Sequence, residues 1–333
     1  MPINESKMQS VPVTVDNFTR AETDWALANV IRDQDAFGKF YHFRELAPLD
    51  KQAVPRVNRD TLYSAGIFDL DPAPVTVTLP DAGKRFMTMM VVNEDHYVNK
   101  VIYNAGNYTF TRDQVGTRYV MMALRTFVDP ANPEDLEQAH ALQDAVQVGQ
   151  KNPGRFEMPN WDQESQKKVR EALKTLGSTL PDSKHAFGAK DEVDPVRHLI
   201  VTAMAWGGNP DKDAIYLNVT PTRNDGKTIY QLKVRDVPVD AFWSITVYDA
   251  QGYLQPNSLN RYNLNSVTAQ KGPDGSITVQ FGSDGNTANC LPITPGWNYL
   301  VRLYRPRNEV LNGTWKFPEA EPVETGGKTG KAA

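Results

Sequence analysis

The hydrophobic pattern of this 333-residue chain changes its period twice. From Asn58 to Val128, apolar residues alternate in short runs that are separated by turns of Pro, Asp, Gly and Asn. This alternation is typical of short β-strands in a sandwich. From residue 129 to about 208 the apolar residues recur at helical spacing, and from Ala214 onward the alternation returns. We therefore predict a mainly β fold with a helical insert.

The same changes of pattern predict the organisation of the chain. Residues 1–40 are an N-terminal arm and helix, 41–128 a β-sandwich, 129–208 a helical domain, 209–323 a second β domain and 324–333 a disordered tail. A chain of this length is usually two or three domains. Two turns, Asn224-Asp-Gly226 and Pro273-Asp-Gly275, are of the hairpin type.

Capping residues locate the starts of the helices. Asp16 or Asn17 caps the first helix, whereas Asn132 caps the second and is followed by Pro133 at the first helical position. Asp162 begins a third helix that stops at Gly177. A fourth begins at Asp194-Pro195 and is predicted to end at Gly207-Gly208.

Two C-terminal strands carry an unusual second face. In Phe242–Asp249, Trp243, Ile245 and Val247 share one face, and the opposite face carries Phe242, Ser244, Thr246 and Tyr248. In Pro295–Arg307, Tyr299, Val301 and Leu303 share one face, and Arg302 and Tyr304 lie on the other. Aromatic, hydroxyl and guanidinium groups on one strand face are typical of the lining of a cleft or an inter-domain seam. We therefore expect a site there.

Composition and charge exclude several classes of function. The net charge is −4 with both signs interspersed, whereas a nucleic-acid partner requires a basic surface. No apolar run approaches the roughly 20 residues that span a bilayer, so we predict no membrane partner. No signal peptide is recognisable, which predicts a cytoplasmic protein, or a periplasmic one if a signal was removed. Cys290 is the single cysteine, so an intramolecular disulfide is excluded, and it is predicted to be a buried apolar residue.

Long motifs give the chain a resemblance to a known pair of families. Val57–Ser64, Pro74–Arg85 and Val92–Tyr97 resemble the bacterial family called domain of unknown function twelve-fifty-four. Asp240–Tyr248, Asn289–Ile293 and Trp297–Arg307 resemble its usual companion, domain of unknown function twelve-fourteen. The resemblance implies an immunoglobulin-like N-terminal sandwich, a helical middle domain and a C-terminal jelly roll. It implies no reaction. Relatives often carry a cysteine shortly before the position of Cys290, where this chain has Phe281-Gly-Ser-Asp284.

The candidate catalytic residues are Glu94, Asp95 and His96, which follow an apolar strand. Either carboxylate could orient the imidazole as a general base. The alternative is a hydrogen-bonded structural histidine at a strand end. The same three residues could contribute to a metal site, but the other histidines lack ligand spacing, so we predict neither a metal nor a cofactor.

The candidate substrate-binding residues come from two regions. Arg59, Asp60 and Tyr63 lie at the start of a predicted strand, where an arginine suits a carboxylate or sugar hydroxyls and the alternative is a structural ion pair. Four further candidates belong to the aromatic-rich C-terminal part: Tyr248, Tyr262, Arg302 and Tyr304. Their rings could stack on a sugar or a planar ligand, and the alternative is a sandwich core with tyrosine hydroxyls at its rim.

Two classes of function remain open. The first is an enzyme, hydrolytic in the favoured version, that acts on a small molecule at the seam between the two β domains. The second is a non-catalytic protein that binds carbohydrate or another polymer through aromatic rims. We favour the enzyme because three domains in one body exceed what a simple binding module requires. The expected partner is a small-molecule or carbohydrate ligand, and a homo-oligomer stays open.

Overall fold

The structure, a computed structural model, describes residues 10–52, 54–282 and 287–323. The chain forms two compact units. Unit 1 comprises the chain up to Arg44 and Thr61–Asp213, and unit 2 comprises Glu45–Asp60 and the chain from Ala214 onward. The five-segment division stays a prediction. Its disordered tail, 324–333, lies outside the described residues.

Most of the regular structure is β, as the alternation predicts. The strands of unit 1 are β1 (Phe40–His42), β2 (Thr61–Asp69), β3 (Val75–Leu79), β4 (Met87–Asn93), β5 (Val98–Ile102), β6 (Gly106–Phe110), β7 (Tyr119–Phe127) and β8 (Gln147–Gln150). Those of unit 2 are β9 (Ala214–Val219), β10 (Tyr230–Val234), β11 (Trp243–Tyr248), β12 (Asn263–Asn265), β13 (Ile277–Phe281), β14 (Cys290–Leu291), β15 (Asn298–Tyr304) and β16 (Glu321–Pro322).

The helices of the described residues fall largely where the caps predict them. They are α1 (Phe18–Gln34), α2 (Arg112–Val115), α3 (Pro133–Asp144), α4 (Gln163–Gly177), α5 (Pro195–Met204) and α6 (Asn308–Leu311). The side chains of Asn132, Asp162 and Asp194 each accept a backbone N–H of the helix they precede. Three of the helix starts are thereby confirmed.

Unit 1 is a sandwich with a helical layer. Sheet I has the strand order β1-β2-β7-β4-β5, and sheet II has the order β6-β3-β8. One face of sheet I packs on sheet II through a core that includes Phe68, Val77 and Met89. On its other face, Leu27 of α1 packs against Ile67 and its neighbours. Helix α1 in turn packs on α4 and α5.

Unit 2 is a sandwich of two four-stranded sheets. Sheet III has the order β12-β11-β15-β9, and sheet IV has the order β14-β13-β10-β16. The apolar face of sheet III, which includes Trp243, Ile245 and Val301, packs against Leu232 and Val279 of sheet IV. The predicted core face of β11 and β15 is therefore confirmed. Cys290 is buried, as predicted.

Two local predictions are wrong. The turns at 224–226 and 273–275 do not close hairpins, because β9 and β12 belong to sheet III whereas β10 and β13 belong to sheet IV. Each turn lies in a connection between the two sheets of the sandwich. Asn17 occupies the cap position of α1, but its Oδ1 accepts the N–H of Thr14, 2.8 Å away, instead of a helical N–H.

The fourth helix also ends earlier than predicted. Helix α5 stops at Met204, because Ala205 has φ −153° and leaves the helical region before the glycine pair at 207 and 208. Across the described ranges, no helix is both long and apolar enough to cross a bilayer.

Candidate functional site

The second face of sheet III is polar and almost completely buried. Antiparallel pairing sets Ser244 of β11 opposite Arg302 of β15 and opposite Asn265 of β12, and Thr246 opposite Asn263. Since side chains alternate along a strand, these groups project from the face that the sandwich core does not use. We call this surface the polar face of sheet III; it comprises Ser244, Thr246, Tyr248, Asn263 and Arg302.

The segment 45–60 of unit 2 lies on this polar face. Its carbonyl groups at Arg56 and Val57 accept hydrogen bonds from Arg302 and Tyr248, at 2.9 and 2.8 Å. Apolar side chains of the segment, such as Leu49, also pack beside Tyr248. The segment therefore seals the face from solvent.

Asp60 is the single carboxylate that the segment presents to the polar face in the described structure, and none of its surface is exposed. The hydroxyl of Ser244 donates to Oδ2 at 2.5 Å, and Nδ2 of Asn263 donates to Oδ1 at 2.8 Å. Burial raises the pKa of Asp60 above its ordinary value, and the positive charge of Arg302 and these hydrogen bonds oppose the rise. A buried carboxyl group whose pKa is raised is a candidate for proton transfer.

Arg302 anchors the centre of the polar face. Its Nη1 donates to the hydroxyl of Thr246 at 2.8 Å, and its Nη2 donates to the hydroxyl of Tyr248 at 2.8 Å. Burial by itself would lower the pKa of Arg302, but Tyr248, Tyr304 and Asp60 raise it above the ordinary value. Arg302 therefore stays charged in a buried position.

Two more arginines of the segment lie beside tyrosine rings. Arg59 donates to the carbonyl oxygen of Ala47 at 2.8 Å and lies over the ring of Tyr262, 5.1 Å from its centroid. Arg56 lies over the ring of Tyr248, 5.7 Å from its centroid. Arg59 and Asp60 thus have separate partners, as expected for adjacent residues on opposite faces.

The three predicted binding tyrosines of unit 2 are all buried. Tyr248, Tyr262 and Tyr304 expose 1%, 6% and 3% of their surface. The hydroxyl of Tyr304 accepts Nδ2 of Asn58 at 3.1 Å. These rings therefore surround the polar face and do not form an exposed platform.

His96 lies in unit 1 and is completely buried at the end of the turn after β4. Its Nε2 accepts the backbone N–H of Gly207 at 2.8 Å, and its Nδ1 is 2.8 Å from the hydroxyl of Thr202. The ring also stacks on Trp206 and His198. Burial, together with His198, lowers the pKa of His96 to about 3. Both ring nitrogens are engaged by protein groups.

The carboxylates beside His96 in the sequence have other partners. Glu94 accepts the backbone N–H of Tyr119 at 2.8 Å, and burial raises its pKa. Asp95 pairs with Arg20, whose Nη2 is 2.6 Å from Oδ1. The expected orientation of His96 by Glu94 or Asp95 is therefore wrong, because Thr202 and Gly207 hold the ring. The catalytic role of these three residues stays a prediction.

The remaining candidates can now be placed. Tyr63 belongs to β2 of unit 1, where the guanidinium of Arg125 lies 5.3 Å from the centroid of its ring. No three His, Cys, Asp or Glu side chains converge as metal ligands within residues 10–52, 54–282 and 287–323.

Sequence analysis does not identify Arg56 and Asn263 as residues of the site. They lie in irregular or very short segments without a periodic signal, whereas Ser244 and Thr246 lie on the predicted second face of β11. The cluster Asn58-Arg59-Asp60 was the available signal for the segment, and Arg56 lies two residues before it.

Family comparison identifies the class of protein. Residues 37–114 match a family described as protein of unknown function (DUF1254), and residues 215–308 match one described as protein of unknown function (DUF1214). The chain therefore belongs to the proteins that pair these two families, as its motifs predict.

Two solved structures resemble most of the chain. The VPA0106 protein from Vibrio parahaemolyticus aligns with a TM-score of 0.74 at 17% identity, covering 93% of this chain and 98% of that one. An uncharacterized protein from Burkholderia cenocepacia aligns with a TM-score of 0.53 at 12% identity, covering 92% and 88%. At these identities the likeness shows the fold alone. A comparison with curated proteins gave no match.

Proposed function

We propose that this protein is an enzyme that hydrolyses a small molecule on the polar face of sheet III. One observation carries the proposal: Asp60 is a fully buried carboxyl group with a raised pKa, held by Ser244 and Asn263 beside Arg302. Proteins bury a carboxylate, an arginine and hydroxyls together at a free-energy cost, and such groups cluster at functional sites.

The chemistry of the groups assigns them roles. Ionised Asp60 accepts a proton from a water molecule as that water attacks the substrate, and protonated Asp60 then donates it to the leaving group. Arg302 offers positive charge near the oxygen on which negative charge develops. A general base works best when its pKa lies near the operating pH, and burial moves the pKa of Asp60 in that direction.

Asp60 is the better candidate for the base than His96. The pKa of His96 is lowered to about 3, and both of its ring nitrogens are hydrogen-bonded within unit 1. The polymer-binding alternative is less well supported, because Tyr248, Tyr262 and Tyr304 are buried. Substrate access to Asp60 then requires a movement of the segment 45–60.

Finer expectations also belong to this proposal. The immunoglobulin-like and jelly-roll descriptions of the two sandwiches follow from the family resemblance. The proposed ligand is a small molecule. The proposed compartment is the cytoplasm, or the periplasm if a signal was removed.

The test is a screen of purified protein against small esters, lactones and oligosaccharides. With any substrate that is turned over, Asp60→Asn should lower kcat about a hundred- to ten-thousandfold, the usual range for general acid–base catalysis. The matched control is Asp236→Asn, which changes an exposed carboxylate of the same unit and should leave kcat unchanged. Activity in Asp60→Asn within a factor of a few of wild type would remove Asp60 from the mechanism.

A second variant covers the case in which Asp60→Asn does not fold. Ser244→Ala removes a hydrogen bond that lowers the pKa of Asp60. The acidic limb of the pH–kcat profile should therefore shift to higher pH. An unshifted limb with a substrate that is turned over would show that another group sets the profile.

A further inference from the structure

The strongest unexplained group in unit 2 is the guanidinium of Arg56. Its Nη1 is inaccessible to solvent and has no hydrogen-bond partner among residues 10–52, 54–282 and 287–323. Buried arginine donors are almost always paired, because an unsatisfied donor of a charged group is expensive. The unpaired nitrogen therefore lacks an acceptor among the described residues.

A second guanidinium lies close to the first. Arg302 donates to the backbone carbonyl oxygen of Arg56 at 2.9 Å. Burial lowers the pKa of Arg56, and the like charge of Arg302 lowers it further. Asp60, the carboxylate of this face, is already bonded to Ser244 and Asn263. Positive charge therefore exceeds negative charge here, because Arg56, Arg59 and Arg302 lie near the single carboxylate of Asp60.

The backbone holds Arg56 in an uncommon conformation. Arg56 has φ +58°, and its N–H donates to the carbonyl oxygen of Gly252 at 2.7 Å. Left-handed conformations of residues other than glycine carry strain and often occur at ligand-binding positions. The ring of Tyr248 covers one face of the guanidinium, and the edge of a guanidinium is the part that binds a carboxylate.

We propose that Arg56 and Arg302 bind the carboxylate group of a small organic acid on the polar face of sheet III. This inference rests on the proposed function and names its substrate class: molecules that carry a carboxylate beside the bond to be hydrolysed. A carboxylate offsets part of the excess positive charge.

The test is direct binding, which does not require turnover. Acetate, benzoate and succinate are titrated into the protein by calorimetry at low salt, and acetamide, benzamide and succinamide serve as the uncharged counterparts. We expect at least one acid to bind more tightly than its amide and to raise the melting temperature. If no acid binds more tightly than its amide, the inference is overturned.

Arg56→Gln identifies the residue responsible. It should weaken binding of that acid roughly ten- to hundredfold, the usual effect of removing a hydrogen bond to a charged group. The melting temperature without ligand should not fall, because the like-charge repulsion with Arg302 is removed. The matched control Arg235→Gln changes an exposed arginine of the same unit and should bind the acid as wild type does.

The results separate this inference from the proposed function. Unchanged acid binding in Arg56→Gln, or a large loss of stability without ligand, would assign Arg56 a structural role and overturn the inference. Asp60→Asn should retain acid binding, or strengthen it, because a repelling charge is removed. Acid binding without any turnover would contradict the proposed hydrolysis alone, and turnover of uncharged esters that Arg56→Gln leaves intact would contradict the carboxylate inference alone.

Discussion

Replacing Arg302 with Met should destabilise unit 2 by about 3–5 kcal/mol, the usual cost of removing one partner of a buried charge cluster. Met keeps most of the packing of the side chain but donates no hydrogen bond. The change leaves the oxygens of Thr246, Tyr248 and the Arg56 backbone without the donor they share. Three unmade buried hydrogen bonds at about 1 kcal/mol each already give about 3 kcal/mol.

The pH dependence of this loss follows from Asp60. Without Arg302, which lowers the pKa of Asp60, the pKa in the folded state rises further. A group whose pKa is higher in the folded state than in the unfolded state binds more protons when folded, so its contribution to stability decreases as pH rises through the folded pKa. The loss in Arg302→Met should therefore be larger at pH 8 than at pH 5.

The assay is urea denaturation at both pH values, followed by circular dichroism and by tryptophan fluorescence. Agreement of the two probes checks that one transition is measured. Arg235→Met is the matched control: its exposed ion pair with Asp236 should contribute at most about 1 kcal/mol. If Arg302→Met loses no more stability than this control, the hydrogen bonds assigned to Arg302 do not stabilise the fold.

Three further predictions concern single residues. The pKa of His96 in the folded state, about 3, lies below its unfolded value of 6.5, so the unfolded state binds more protons. His96 should therefore lower the free energy of unfolding as pH falls from 6.5 towards 3, by up to about 1.4 kcal/mol per pH unit. NMR of its ring nitrogens should show a neutral imidazole at pH 5, and a titration near pH 6.5 would contradict this. Trp243→Ala should cost about 3–5 kcal/mol, because the ring is buried in the sandwich core, and an unchanged melting temperature would place the ring elsewhere. Gly252→Ala should lower the free energy of unfolding by about 1–3 kcal/mol, because φ is +89° and a Cβ would lie 3.2 Å from Pro55. Chemical denaturation measures this change, and an unchanged free energy would show that the loop rearranges.

Elements with strong local patterns were predictable from the sequence. Strand β3 lies in the region predicted to be β, and its alternation is regular and bounded by turns on both sides. Strand β5 has a weaker local signal, because Asn99 and Lys100 interrupt its apolar alternation and are exposed at the sheet edge. The very short strands β14 and β16 have too few residues to show any period.

The candidate site was predictable in its face but not in its contacts. Alternation along β11 and β15 places Arg302 opposite the core side chains, and the structure confirms it. The partners of Asp60 lie 184 and 203 residues away in the chain, at Ser244 and Asn263. The partners of His96 are similarly distant, whereas its sequence neighbours bond elsewhere. A single sequence contains no information on which distant segments meet.

The path of the chain joins part of one family match to the other in one folded unit. The family match over residues 37–114 includes the segment 45–60, yet this segment folds as part of the unit that contains the other match, 215–308. Unit 2 is thus discontinuous in sequence. A fragment beginning at Ala214 would lack the segment 45–60, and Arg302 and Tyr248 would be exposed to water. A gene encoding the C-terminal region alone would specify an incomplete fold, and a synthetic peptide of residues 45–60 added in trans should restore it by fragment complementation. Neither unit can therefore be excised by a single cut of the chain.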